Sequence, residues 1–139
     1  MAATALSARL LARTLAAAGV AHFLVPKPFD AIVPRQLPGS ARAWTYASGA
    51  AELAVAAAVA LPRTRRAGAL AAAGLFAAVF PANVQMAYDW RHRPAPLKAI
   101  AYGRLPGQLP LIALALHAAR TASGVQGHPA DPSRAGASR

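Results

Sequence analysis

The sequence predicts an all-α fold: a four-transmembrane-helix antiparallel bundle with a disordered C-terminal tail. Three observations carry that expectation. Of the 139 residues, 56% are apolar and only 14% are charged, a balance that suits a membrane protein better than a soluble domain of this size. The stretches 44–61 and 67–88 contain Glu52 as their only charged residue, so they lack the polar face that a soluble amphipathic helix repeats with the helical period. Each is also close to the roughly 20 residues needed to cross the hydrocarbon core. Strands are not expected, because no run alternates with period two and Ala dominates the apolar segments.

The first helical segment covers about 6–25 and stops at Pro26 and Pro28, since proline cannot continue a helix interior. Its arginines and Ala content imitate an export signal or transit peptide. Arg13 lies inside the run, however, and "HFLVPKPF" makes a poor cleavage site, so it reads as a retained first span or signal-anchor. The second segment begins near Trp44 and ends at Leu61–Pro62, and the third runs from about Ala67 to Tyr88. The "PRTRR" connection between them is short enough to force an antiparallel hairpin. The fourth segment covers about 97–119, broken or kinked by Pro106 and Pro110. The first connection, 26–43, carries Phe29, Ile32, Val33 and Leu37, which suits a segment folded against the membrane surface or the top of the bundle. Residues 1–122 thus form the transmembrane domain. The polar, Pro- and Gly-bearing stretch 123–139, "SGVQGHPADPSRAGASR", is expected to be a disordered tail.

Charge and composition narrow the partners. The absence of cysteine excludes disulfides, thiolate metal sites and thiol redox chemistry. A net charge of +11 would ordinarily suggest nucleic acid. Here the basic residues lie between and beside apolar runs, where loops meet lipid headgroups, and no aromatic platform accompanies them. The expected partner is the lipid bilayer, not nucleic acid. Trp44, Tyr46, Tyr88, Trp90 and Tyr102 fall near segment ends on one side of the bundle, the interfacial level aromatics prefer. "RTRR" is the densest short basic loop, which favours a multi-pass protein of the cell (inner) membrane with both termini cytoplasmic.

Depth, counted at about 1.5 Å per helical residue, gathers the polar residues within the spans. His22 lies just before the far end of the first segment, and Glu52 about two turns into the second from that same side. Asn83, after Pro81, is near the matching end of the third, while Arg104 and Gln108 lie two to three turns into the fourth. The faces agree: Thr45, Ser48 and Glu52 form one stripe, Arg104 and Gln108 share a face, and Ala18 and Gly19 leave close-approach room beside His22. An ionised Glu in hydrocarbon costs several kcal/mol, so Glu52 is expected to face inward. Arg104, whose guanidinium can donate two bonds to a carboxylate, is the expected partner. Asn83 is expected to satisfy backbone groups freed by Pro81, and Gln108 to do so at the Pro106–Pro110 break.

These residues sit within "AGVAHFLVPKPFDAIVP", "SGAAEL", "FPANVQMA" and "RLPGQ", which together resemble the motifs of the DoxX and DoxX-like small membrane proteins. The resemblance covers roughly residues 8–118. It implies a four-helix integral membrane fold and an association with membrane redox and oxidative-stress complexes, some relatives being subunits of a thiosulfate:quinone oxidoreductase. The candidate binding cluster carried over is His22, Glu52, Asn83, Arg104 and Gln108. No catalytic residue and no metal ligand is assigned, since no Gly-rich phosphate loop, nucleophile arrangement or paired carboxylates occur. The expected role is a non-catalytic membrane subunit or adaptor of a redox or stress-response protein complex. The alternative is a subunit that binds a quinone- or lipid-like small molecule through the polar cluster. A transporter would need a homo-oligomer to supply more helices. Whether Glu52 and Arg104 fix helix register or serve binding or proton handling stays open at this level.

Overall fold

The computed structural model describes residues 2–126, with side chains for 6–122. Among them the secondary structure is entirely helical: α1 (Ala2–Leu24), α2 (Pro26–Asp30), α3 (Ala41–Ala60), α4 (Arg65–Asp89) and α5 (Ala95–Gln126). The four long helices are those expected, and the addition is the single turn of α2. The expected tail begins inside α5, whose backbone stays helical to Gln126, and the rest of it, 127–139, lies outside the described residues. Neither Pro106 nor Pro110 ends α5, which runs continuously through both.

Local chemistry places the helix ends. Pro26 closes α1 and opens α2 in its first turn, where a missing N–H costs nothing. The Ser40 side chain caps α3 by accepting from the Ala43 N–H at 3.2 Å. The last carbonyls of α3 would be orphaned, and the following turn supplies donors. Thr64 Oγ1 donates to the Ala58 carbonyl at 2.8 Å, and Arg65 donates to those of Val59 and Ala60 at 3.2 Å each. The "RTRR" loop is therefore also a C-terminal cap for α3.

Helix α1 packs chiefly on α3 and α4 chiefly on α5, while α3–α4 and α1–α5 contacts close the ring. At one end of this ring the core is small and apolar: Leu11, Leu15, Ala56, Val59, Ala69, Ala72 and Ala115 are all buried. Alanine at most positions lets backbones approach closely. Closest of all is Gly68, where an added Cβ would lie 2.6 Å from backbone atoms of Ala58 and Val59. By length and composition α4 and α5 can cross a membrane; α1 and α3 do not meet the same criterion.

Candidate functional site

At the opposite end of the ring the polar residues converge. Helix α1 approaches α3 through Gly19 and Gly49, where a Cβ on Gly49 would lie 2.7 Å from the Cβ of His22. That contact brings the His22 ring onto Glu52, which projects from the same helix as Gly49. His22 is 8% exposed and Glu52, at its side chain, 13%. The His22 Nδ1 stands 2.8 Å from the Ala18 carbonyl and 3.2 Å from Glu52 Oε2. A carbonyl can only accept, so the Nδ1 proton is directed at Ala18. Glu52 Oε2 keeps an ion-pair distance to the ring but receives no hydrogen bond from the protein, although the atom is fully buried. Phe29 holds the other face of the imidazole, stacked with centroids 3.8 Å apart.

A second cluster joins α4 to α5. Asn83, 1% exposed, donates from Nδ2 to Gln108 Oε1 at 2.7 Å, and its Oδ1 accepts from Arg104 Nε at 3.2 Å. Gln108 Nε2 donates in turn to the Phe76 carbonyl. Two expectations are corrected here. Glu52 makes its ion-pair contact with His22, not Arg104, because the Gly19–Gly49 approach sets α1 against α3, while Asn83 draws the Arg104 guanidinium toward α4. Nor does either amide serve the break at its own proline: Asn83 bonds Arg104 and Gln108, and Gln108 turns to Asn83 and the Phe76 carbonyl on α4. The carbonyl that Pro81 leaves without its usual donor is that of Ala77, four residues earlier.

Between the two clusters lies a cavity of about 490 Å³. His22, Ser48, Glu52 and Arg104 line it, and Ile32, Val33, Leu37, Val79 and Ala82 supply apolar wall. The Thr45–Ser48–Glu52 stripe read from spacing does face this space. Its roof is α2 and the loop after it, tied down at Asp30. Arg42 donates to the Asp30 carboxylate from Nε and from a terminal nitrogen, at 2.9 and 2.7 Å, and Thr45 Oγ1 donates to it at 2.7 Å. These bonds, the one from Arg42 first, hold the Asp30 carboxyl below its ordinary range. Trp44 Nε1 donates to the Pro38 carbonyl at 2.7 Å and pins the far end of the loop.

The sequence placed the 26–43 segment against the top of the bundle through Phe29, Ile32, Val33 and Leu37, and those residues line the cavity; what it missed is the tie, since Asp30, Arg42 and the Trp44 indole were not candidates for it. One available signal was the scarcity of acids, since Asp30 is one of only four. The cavity combines an acidic residue, Glu52, an arginine, Arg104, and apolar walls, a composition suited to holding a mostly apolar molecule by a few polar atoms. His22 and Glu52 could offer a cation two ligands, and no group of three or more His, Cys, Asp and Glu gathers among the described residues.

Residues 11–119 match a family of domains of unknown function, DUF8561, and the chain belongs to that family. The matched stretch holds all five polar residues. Neither curated proteins nor solved structures give a significant match.

Proposed function

We propose that the chain is a multi-pass membrane protein of the DoxX-like type whose four long helices all cross the bilayer. In this reading it binds a small quinone- or lipid-like molecule in the cavity at its polar end. The observation that carries the binding role is Glu52 Oε2, a buried carboxylate oxygen without a protein donor that belongs to a residue lining an apolar cavity. A carboxylate left so is costly to the fold, and intramembrane ionisable groups are functional candidates by default.

The membrane setting is supported by exposure. The most apolar windows of α4 and α5 are only 33% and 17% buried within the protein, unlike the core helix of a soluble protein. Leu6, Leu10 and Leu24 on α1, Phe80 and Val84 on α4, and Leu109 on α5 also face outward, a surface that suits lipid better than water. Helix α3, the shortest of the four, has 20 residues, about 30 Å and enough for the hydrocarbon core. Arg9 lies in the first third of α1 and Arg13 at its midpoint, both exposed, and their long side chains can snorkel toward the interface. On the basic "RTRR" loop we assign both termini to the cytoplasmic side of the cell membrane. The protein then serves a redox or oxidative-stress complex as a non-catalytic subunit.

Native mass spectrometry of the protein released from lipid nanodiscs tests this reading. A retained small apolar molecule, lost in Glu52→Leu, is the expected result. A stoichiometric protein partner with no retained molecule would favour a purely adaptor role and remove the binding function.

A further inference from the structure

Resting on the reading that α4 and α5 cross the bilayer, we infer that a groove between the roof and these two helices takes a single-chain membrane amphiphile. Its head is a carboxylate held by Arg104, and it enters sideways from the lipid. The groove, of about 230 Å³, lies beside the larger cavity, and Phe29, Ile32 and Arg104 line both. Pro28, with Met86 and Trp90 on α4 and Leu97 and Ile100 on α5, completes the walls. Met86 and Trp90 stand four apart, and Leu97, Ile100 and Arg104 three and four apart, so each set is one stripe of its helix turned to the same space. Leu97 and Ile100 are also exposed, which opens the groove on the side where α5 meets lipid.

Charge identifies the head. Arg104 is the only charged residue lining the groove. Glu52 lines the larger cavity but not this one, and no carboxylate comes within ion-pair distance of Arg104 among the described residues. An arginine stays ionised in proteins, so its charge does not depend on the state of its neighbours. Within a span such a charge needs a partner, and among the described residues Arg104 has only the neutral amide of Asn83. That amide takes Nε alone and leaves the terminal nitrogens of an exposed side chain without an acceptor. The other polar side chain of the groove, the Trp90 indole, can also only donate, and no acid, amide or hydroxyl side chain lines the space with them. Donors and one positive charge select a group that only accepts, and a planar carboxylate matches the guanidinium fork.

The guanidinium is also set in advance. Asn83 and Gln108 are both buried. Asn83 accepts from Arg104 Nε at 3.2 Å and donates to Gln108 at 2.7 Å, and Gln108 donates to the Phe76 carbonyl. This relay from the α4 backbone orients Arg104 before a ligand arrives, which removes part of the ordering cost of binding. Size excludes bulkier lipids. At about 230 Å³ the groove falls below the ~300 Å³ at which sites for whole drug-sized molecules begin. It admits a head and the start of one chain, whose remainder lies along Leu97 and Ile100 in the lipid.

The test is electron paramagnetic resonance of spin-labelled lipids with the full chain in phosphatidylcholine nanodiscs, the immobilised fraction of the label reporting association. The probes are doxyl-stearic acid, at a pH where it is ionised, its methyl ester, and a doxyl-labelled phosphatidylglycerol. The acid should associate about tenfold more strongly than the ester, and more strongly than the two-chain anionic lipid. That preference should vanish in Arg104→Gln. It should vanish equally in Leu97→Trp, which fills the groove from an exposed position and leaves the Arg104–Asn83 bond in place, so this variant decides if the first does not fold. Equal association of acid and ester, or a preference that survives in Leu97→Trp, overturns the inference and leaves the membrane reading standing. Phosphatidylglycerol that matches the acid overturns the single-chain head. If no probe shows an immobilised fraction, the lipid contact of α4 and α5 falls, and the membrane reading with it. The larger cavity is read separately, by the molecule retained in mass spectrometry.

Discussion

The end of the ring that holds Leu11, Val59, Ala69 and Ala115 and the end that holds His22, Glu52, Asn83 and Gln108 are built by opposite means. In the first, small side chains let helices touch almost backbone to backbone, and the buried polar side chains among the described residues, His22, Thr45, Asn83 and Gln108, lie at the other end. In the second, helices are joined by side-chain hydrogen bonds, a roof has been added, and a cavity of about 490 Å³ remains. Close packing gains dispersion contacts and leaves no space for a ligand. The open end does the reverse, and holds a buried carboxylate oxygen without a protein donor. The contrast assigns stability to one end and recognition to the other.

The largest effect is expected at the tight end. Gly68→Leu would drive its Cβ to 2.6 Å from backbone atoms of α3, a clash no side-chain rotamer relieves, so the loss should exceed the usual ~1–3 kcal/mol of overpacking. Fluorescence-detected size exclusion should show little monodisperse protein. A wild-type profile would break the α3–α4 packing. Next in size is Leu11→Ala, which empties a site at 0% exposure. It should cost about 2–5 kcal/mol, seen as a lowered thermal midpoint in detergent. At the open end, Gln108→Leu strips a partner from Asn83 and from the Phe76 carbonyl together. A loss of about 1–3 kcal/mol is expected, below that of Leu11→Ala on the same assay.

Much of this contrast was legible in the sequence, and the limits are instructive. Helical depth alone gathered His22, Glu52, Asn83, Arg104 and Gln108 at one end, because distance along a helix axis is fixed by residue count. Gly19 announced a close approach beside His22, and the structure has one. Which polar group meets which was not legible. Partner choice depends on the rotation of one helix against another, and spacing within a single helix does not contain that angle. Glu52 therefore faces His22 where Arg104 was expected, and Gln108 rather than Asn83 serves the α4 backbone. The ties of the roof, unlike its place on the bundle, escaped for a related reason: α2 is one turn long, and Asp30 is held by Arg42 and Thr45, 12 and 15 residues away in the chain.

A smaller effect is expected at that roof. Asp30→Asn should leave the midpoint nearly unchanged and speed hydrogen exchange of the 26–40 amides. The wild-type roof should respond to pH in a defined direction. Because Asp30 has its folded pKa lowered, chiefly by the bond from Arg42, the contact is complete above the ordinary carboxylate range. It is lost only as pH falls through the lowered value. Exchange in this segment that quickens instead on raising the pH above neutrality, beyond the intrinsic chemical rate, would exclude Asp30 as the tie.

The division of labour between the two ends is tested most directly at Glu52, by measuring for Glu52→Leu both the thermal midpoint and, by native mass spectrometry from lipid nanodiscs, the retained small molecule. The substitution removes a buried acceptor that no protein group satisfies, but also the countercharge that faces His22 and shares the cavity with Arg104. The midpoint should therefore fall less than that of Leu11→Ala, while the retained molecule is lost. A midpoint lowered as far as that of Leu11→Ala, with the molecule still retained by the folded fraction, would make Glu52 part of the scaffold and contradict the account.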